Sequence, residues 1–170
     1  MAPLNHRTPG LAGLIGLPPN HKPPPPYYTI LADGIHVHPS VASLLFRAAP
    51  TRAILISDSI ELAGLPDGLY PPNEQIAHPQ RKVGNRATIE ETDTLIGSCV
   101  DVGQAVRNIM AWSGCGVAEA VRATTENVVD FMGLEDRGKL EEGRQADFVV
   151  LDDDGNVQET WIAGVKVWEK

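Results

Sequence analysis

The chain offers one carboxylate in a position where proton chemistry is commonly found. Asp58 follows the apolar run Ala53-Ile54-Leu55-Ile56, with Ser57 and Ser59 on either side. The carboxyl end of an apolar strand in a parallel α/β pattern is where barrels and open sheets present their catalytic groups. The same Asp-Ser pair is also a good cap for a following turn, and position alone leaves both readings open. His36 and His38 come after another apolar run and the turn Ala32-Asp33-Gly34. In an extended segment alternate side chains share a face, so the two imidazoles could ligate one metal ion. The competing reading is a pair of hydrogen-bonded loop histidines, one of them turned away. Arg7 carries a planar fork suited to an anionic group, and it reads equally as a surface charge.

Other chemistry-bearing residues point elsewhere. His6, His21 and His78 sit in proline-flanked or irregular stretches and read as surface residues. The spacing Gly10-x-x-Gly13-x-x-Gly16 is not the dinucleotide fingerprint. Cys99 and Cys115 lie in or just past an apolar helical pattern and read as core. Asp152-Asp153-Asp154 lacks the remaining ligands of a calcium loop and reads as a solvated turn.

The elements that must hold these residues follow from periodicity. Tyr27–Leu31 and Ala53–Ser57 read as short buried strands, and Pro39–Ala49 between them as a helix with Val41, Leu44, Leu45 and Ala48 on its apolar stripe. Strand, helix and strand in so short a span predict a parallel βαβ unit. Pro18–Pro26 reads as a polyproline-type surface loop. Residues 64–86 look irregular, with a weak alternating signal. Gly97 and Ser98 are expected to open a helix over Cys99–Ser113, with Val102, Ala105, Val106, Ile109 and Met110 inward. Further helices are expected at Val117–Thr125 and Val128–Met132, the latter ended by Gly133. From Gly138 onward, Phe148–Leu151, Val157–Ile162 and Val165–Trp168 alternate with turns and predict a separate antiparallel sheet.

Composition narrows the class. The chain has 170 residues, 42% of them hydrophobic, which suits a packed core. Its 14 Lys and Arg against 22 Asp and Glu give a net charge of -8, which disfavours a nucleic-acid partner. No apolar run reaches the ~18 residues of a membrane span, and no targeting pattern opens the chain. Two cysteines make no disulfide framework, so a cytoplasmic setting is expected.

Several segments together resemble the N-acetylglucosamine-6-phosphate deacetylases of the amidohydrolase superfamily. They are His6-Arg7-Thr8-Pro9-Gly10, Ala32 through Pro39, Leu55 through Ser59 with Ala63-Gly64, Leu95-Ile96-Gly97-Ser98, Ala105-Val106-Arg107-Asn108, and Gly138 through Gly143 with Ala146 through Leu151. The last is generic to amidohydrolases, whereas the order of the first three is specific to these deacetylases. The resemblance implies an α/β chain that forms the C-terminal part of a (β/α)8 barrel over 1–137 and strands of a flanking β-sandwich over 138–170. Met1 resembles the methionine of a family Asn-Ala-Met sequence, so the glutamate and histidines that hold a divalent ion, zinc or similar, are expected upstream of Met1. The chain is therefore expected to be truncated.

By resemblance, Asp58 is the catalytic aspartate of a reaction that deacetylates N-acetylglucosamine 6-phosphate. In the mechanism that the resemblance implies, a metal-bound hydroxide would attack the acetamide carbonyl, and the aspartate would take the water's proton and return it to the departing amine. Arg7 and His36 match substrate-binding positions, and Leu95, Ile96 and Gly97 match a substrate-contacting loop. Ile96 stands where Ser is usual and Ser59 where Ala is common. The family arginine reaches across a dimer interface, which implies a homodimer. Two alternatives compete: an inactive interaction module, and a dihydroorotase-like amidohydrolase using His36-x-His38 as its metal motif.

Overall fold

The computed structural model of the chain describes residues 5–170; Met1 lies outside the described residues. The fold is mixed α/β with three separate sheets. Strands β1 (Tyr28–Leu31) and β2 (Ala53–Ile56) pair in parallel, with Tyr28 opposite Ala53 and Leu31 opposite Ile56. Helix α1 (Pro39–Ala48) crosses between them, as the βαβ pattern requires. Ile30, Leu55 and Ala53 pack with Ala42 and Phe46 of α1 and with Ala105, Val106 and Ile109 of α2 (Val102–Ser113).

The inward face of α1 differs from the expected one. Ala42, Ser43 and Phe46 are buried, whereas Val41 and Leu44 face solvent. Phe46 is the largest fully buried side chain of the core, and its fit between β1 and α2 fixes the rotation of the helix. Two polar contacts hold that orientation. The Tyr28 hydroxyl lies 2.7 Å from the Leu45 carbonyl and 3.0 Å from that of Ala49, at the helix end where carbonyls lack intrahelical partners. Burial pushes the Tyr28 hydroxyl up to about 12, so it remains a donor at neutral pH. The Arg47 guanidinium donates to the Ser113 carbonyl and joins the C-terminal ends of α1 and α2.

The stretch 64–86, expected to be irregular, opens an antiparallel meander that runs to Ser98: β3 (Gly68–Tyr70), β4 (Gln80–Val83), β5 (Arg86–Ile89) and β6 (Leu95–Ser98). Gly97 and Ser98 thus end a strand rather than start a helix. Helix α2 begins only at Val102, because Asp101 accepts the Gln104 N–H at 2.6 Å and caps it. Val102, at the first turn, is exposed. Cys99 is buried beside Leu62 and Ala87, under the meander rather than in the helix. The glycines at 10, 13 and 16 lie on a 3-10 helix, whose three residues per turn match their spacing. Helices α3 (Val117–Arg122) and α4 (Glu126–Met132) follow, and Gly133 ends α4 at φ 68°. The tail forms the expected antiparallel sheet of β7 (Phe148–Leu151), β8 (Val157–Ile162) and β9 (Val165–Glu169).

Tyr28→Phe removes the hydroxyl without changing the packing volume and leaves two helix-end carbonyls without that donor. A loss of about 1–2 kcal/mol is expected, read as a lower denaturant midpoint with unchanged m-value. An unchanged midpoint would show that the Arg52 and Ala53 N–H groups, which the Ala49 carbonyl already accepts at 2.9 and 3.2 Å, and solvent at Leu45 replace the hydroxyl in full.

Candidate active site

Asp58 and Asp33 occupy equivalent positions, each two residues past the end of its strand. Because β1 and β2 are parallel and in register, both strands deliver their following loops to the same edge. Asp33 is buried, its side chain 1% exposed. One carboxylate oxygen accepts the backbone N–H groups of Ile35 and His36 at 2.9 and 3.0 Å, and the other lies 2.6 Å from Nδ1 of His36. The turn so formed bends residues 33–38 away from an extended path. Since an ionised carboxylate only accepts, the His36 ring donates from Nδ1, which leaves Nε2 for another partner. Burial pushes the Asp33 carboxyl up, but the His36 ring and the two backbone N–H groups outweigh it and hold the group below the usual carboxylate range.

The bend separates the two histidines that alternation would have aligned. His38 caps α1, its Nδ1 accepting the Ser40 N–H at 3.3 Å and lying 2.8 Å from the Ser40 hydroxyl. It does not line the cavity that His36 lines.

That cavity has a volume of about 420 Å³, in the range of small-molecule sites. His36, Asp58, Ile96 and Gly97 meet at its wall. Asp58 is exposed and sits at φ 47°, a left-handed conformation uncommon for a residue with a Cβ. The segment after it is pinned: the Ser59 hydroxyl donates to the Val100 carbonyl, Ser59 bridges Ser98 in parallel, and the Ile60 N–H donates to the Ser98 carbonyl at 3.0 Å. Gly97 permits this approach, since a Cβ there would meet Cγ2 of Ile60 at 2.3 Å.

Glu61, Asn73 and Gln80 add polar atoms to the wall. Asn73 donates to the Glu61 carboxylate, and its carbonyl oxygen takes the N–H groups of Gln75 and Ile76 at 2.9 and 2.7 Å, folding the 73–76 loop at the cavity's side. Leu95 lies in β6 but does not line the cavity. Arg7 is exposed and also outside it; its backbone N–H donates to the Asn5 side chain. Asp33, Asn73 and Gln80 were not singled out by sequence. Asp33 did carry a usable signal, a carboxylate just past a strand end, as at Asp58. Among the described residues, no group of three or more His, Cys, Asp or Glu side chains is placed to hold a metal ion, and no helix is long and apolar enough to cross a membrane.

Residues 20–167 match the model of the amidohydrolase family. The chain belongs to that family. It is 38% identical over 174 residues to the N-acetylglucosamine-6-phosphate deacetylase of Danio rerio, covering 100% of this chain and 42% of that protein. It is 33% identical over 165 residues to an Escherichia coli K12 protein provisionally named an N-acetylgalactosamine-6-phosphate deacetylase, covering 96% of this chain and 93% of that one. Among solved structures, it superposes at a TM-score of 0.77 and 28% identity on an aspartate-to-alanine variant of the Mycobacterium smegmatis N-acetyl-D-glucosamine-6-phosphate deacetylase in complex with N-acetyl-D-glucosamine-6-phosphate. That match covers 98% of this chain and 43% of the other. The chain thus spans well under half the length of the zebrafish amidohydrolase and of the mycobacterial one.

The Asp33–His36 pair makes stability pH-dependent in a defined direction. A carboxyl whose folded value is depressed contributes stability that is present above its unfolded value of about 3.9 and is lost as pH falls through the lower folded value. Asp33→Asn keeps the turn through its amide oxygen but has no proton to take up in that range. Denaturant midpoints followed from neutral to acid pH should therefore fall more steeply for the native chain than for the variant below about pH 4. Parallel profiles would remove Asp33 from the acid response.

Proposed function

We propose that this chain supplies the C-terminal catalytic part of a cytoplasmic deacetylase that converts N-acetylglucosamine 6-phosphate to glucosamine 6-phosphate and acetate. The observation that carries the reading is the convergence of Asp58, His36, Ile96 and Gly97, from three separate stretches of chain, on one cavity. Residues 1–137 are read as barrel and 138–170 as strands of a flanking sandwich, a division supported by the separate tail sheet.

Asp58 has the attributes of a proton carrier. It is exposed at the cavity wall and held at a backbone angle that the flanking contacts impose. In the proposed reaction its carboxylate accepts a proton from the attacking water and passes it to the departing amine nitrogen. His36, with Nδ1 engaged by Asp33, presents Nε2 to the substrate. Ile96 and Gly97 line the same cavity. A divalent metal ion would supply activation of water in such a reaction. The described residues of this chain do not by themselves make a coordination sphere for it.

The cavity's charge leaves the phosphate to be held by a group outside this wall. Its described lining includes the carboxylates of Asp58 and Glu61 and no Lys or Arg. A 6-phosphate bound there needs a cation from outside this wall, and Arg7 of a second copy is the proposed source, making the enzyme a homodimer.

The test joins this chain to the upstream half of the zebrafish relative and follows acetate release. Asp58→Asn, which preserves shape but cannot exchange the proton, should lower turnover by ~10²–10⁴-fold or more with little change in substrate binding. Near-normal turnover would end the assignment. Arg7→Ala should raise KM for N-acetylglucosamine 6-phosphate, with a roughly ten- to hundredfold lower kcat/KM, and leave the unphosphorylated sugar nearly unaffected. Equal loss for both sugars would make Arg7 structural.

A further inference from the structure

The proline-rich loop ahead of β1 has no part in the candidate site, since none of residues 18–26 lines the Asp58 cavity. It is nevertheless seated in the fold. The 3-10 helix ends at Gly16, and the Pro18 carbonyl then accepts the His21 N–H at 2.9 Å. Nδ1 of His21 lies 2.8 Å from the Pro23 carbonyl. Pro25 is buried, and with Leu17 and Pro19 it lines a cavity of about 270 Å³ against residues 48–52 at the end of α1. Tyr27 closes the loop, its ring centre 4.5 Å from the Arg52 guanidinium and 5.6 Å from that of Phe131.

Around that anchor the prolines face outward. Pro18, Pro19, Pro23, Pro24 and Pro26 are exposed, as are His21 and Lys22. The peptide bonds within the tetraproline run are trans, the one cis bond of the described residues being Lys22–Pro23 ahead of it. Such a run favours the polyproline II helix, whose three residues per turn make three edges. Pro23 and Pro26 lie on one edge and Pro24 on a second, both exposed, while Pro25 turns the third inward. Proline has no N–H, so the outward edges present apolar rings beside carbonyl acceptors with no donor of their own. Their complement is a row of Tyr and Trp side chains, whose rings pack on prolines and whose polar tips donate. Because the run is already ordered, docking costs it little chain entropy. Charge narrows the partner further. No Asp or Glu precedes Asp33, and Lys22 heads the run, a positive stretch on a chain of net charge -8. An acidic rim matches it. The tyrosines that follow are not on offer: Tyr27 packs on Arg52 and Phe131, and the Tyr28 hydroxyl is held by α1. We propose that the exposed edges of residues 18–26 are a docking site for a protein domain that reads polyproline II segments in an aromatic-lined groove with an acidic rim.

The experiment titrates isotope-labelled SH3, EVH1 and WW domains with the 170-residue chain and follows the amide signals of each groove. An SH3 or EVH1 domain should respond, less so as salt is raised. Replacing one ring on each exposed edge, Pro24→Ala with Pro26→Ala, should weaken binding at least about tenfold. Lys22→Glu should weaken it too and flatten the salt dependence. These positions are exposed, so the Tm of the variants should stay close to the native value, which separates lost docking from lost folding. An oligoproline peptide should displace the native chain from the groove, a readout that needs no variant. Silence of the SH3 and EVH1 grooves towards the native chain would overturn the proposal, as would binding that the double variant retains. A response from the WW domain alone, lost in Tyr27→Ala, would make a tyrosine released from the fold the ligand and overturn the proposal as well. None of these outcomes bears on the amino-sugar reading of the cavity.

Discussion

The parallel register of β1 and β2 is the constraint from which the rest of the site follows. With Leu31 opposite Ile56, both chains leave the sheet at one edge, and the residues two positions on, Asp33 and Asp58, emerge there together. An antiparallel pairing would send them to opposite ends. Parallel pairing needs a crossover, and α1 provides it, packed against the pair through Ala42 and Phe46. The two carboxylates then diverge in role because their surroundings differ. Asp33 is buried and spends its oxygens on two backbone N–H groups and the His36 ring. Asp58 is exposed at the cavity wall with its carboxylate uncommitted to any described hydrogen bond. One positions an imidazole, and the other is available for chemistry.

The meander gives the cavity its second wall. Its contact with the βαβ unit is narrow, resting on the Ser59–Ser98 bridge, the Ile60 N–H bond to Ser98 and the Ser59 hydroxyl bond to Val100. Gly97 allows the two segments to approach, since any Cβ would strike Ile60. A left-handed conformation at a non-glycine residue costs on the order of 1–3 kcal/mol and persists only where neighbours over-determine it. Here β2 holds the residues before Asp58 and β6 holds those after it.

The tail sheet is anchored more lightly. Its turn meets α2 at Gly155, where the backbone comes close to Met110 and Arg107. The turn itself is organised by Asp152, whose carboxylate takes the backbone N–H groups of Asp154 and Asn156 and the side-chain amides of Asn156 and Gln158. Phe148 stacks on Trp161 across β7 and β8 at 5.4 Å, while Val165, Val167 and Trp168 of β9 face solvent. The sheet is therefore held by its own ladder and side-chain pairs more than by a shared core.

Local signals in the chain were enough for the βαβ unit, the tail strands and the Gly133 helix end. Each depends on periodicity or a turn residue acting over a few positions. Those signals also marked Asp58, because a carboxylate after an apolar strand is a local pattern. They failed where long-range contacts decide. The face of α1 was set by Phe46 fitting between β1 and α2, against a sequence stripe in which Val41 and Leu44 looked equally apolar. The meander was hidden because its strands are short and their faces run against the usual pattern, Gln80 and Lys82 being buried while Leu69 and Val83 face solvent. Gly97-Ser98 looked like a helix start until pairing with β5 and Ser59 drew it into a sheet. His36 and His38 alternate in sequence, yet the buried Asp33 bends the chain between them and gives them separate tasks. Gln80 had no sequence signal at all, since a glutamine becomes informative only when folding buries it beside a cavity. Sequence determined which residues could carry chemistry; the tertiary structure decided which of them face one another, because that depends on contacts between segments distant in the chain.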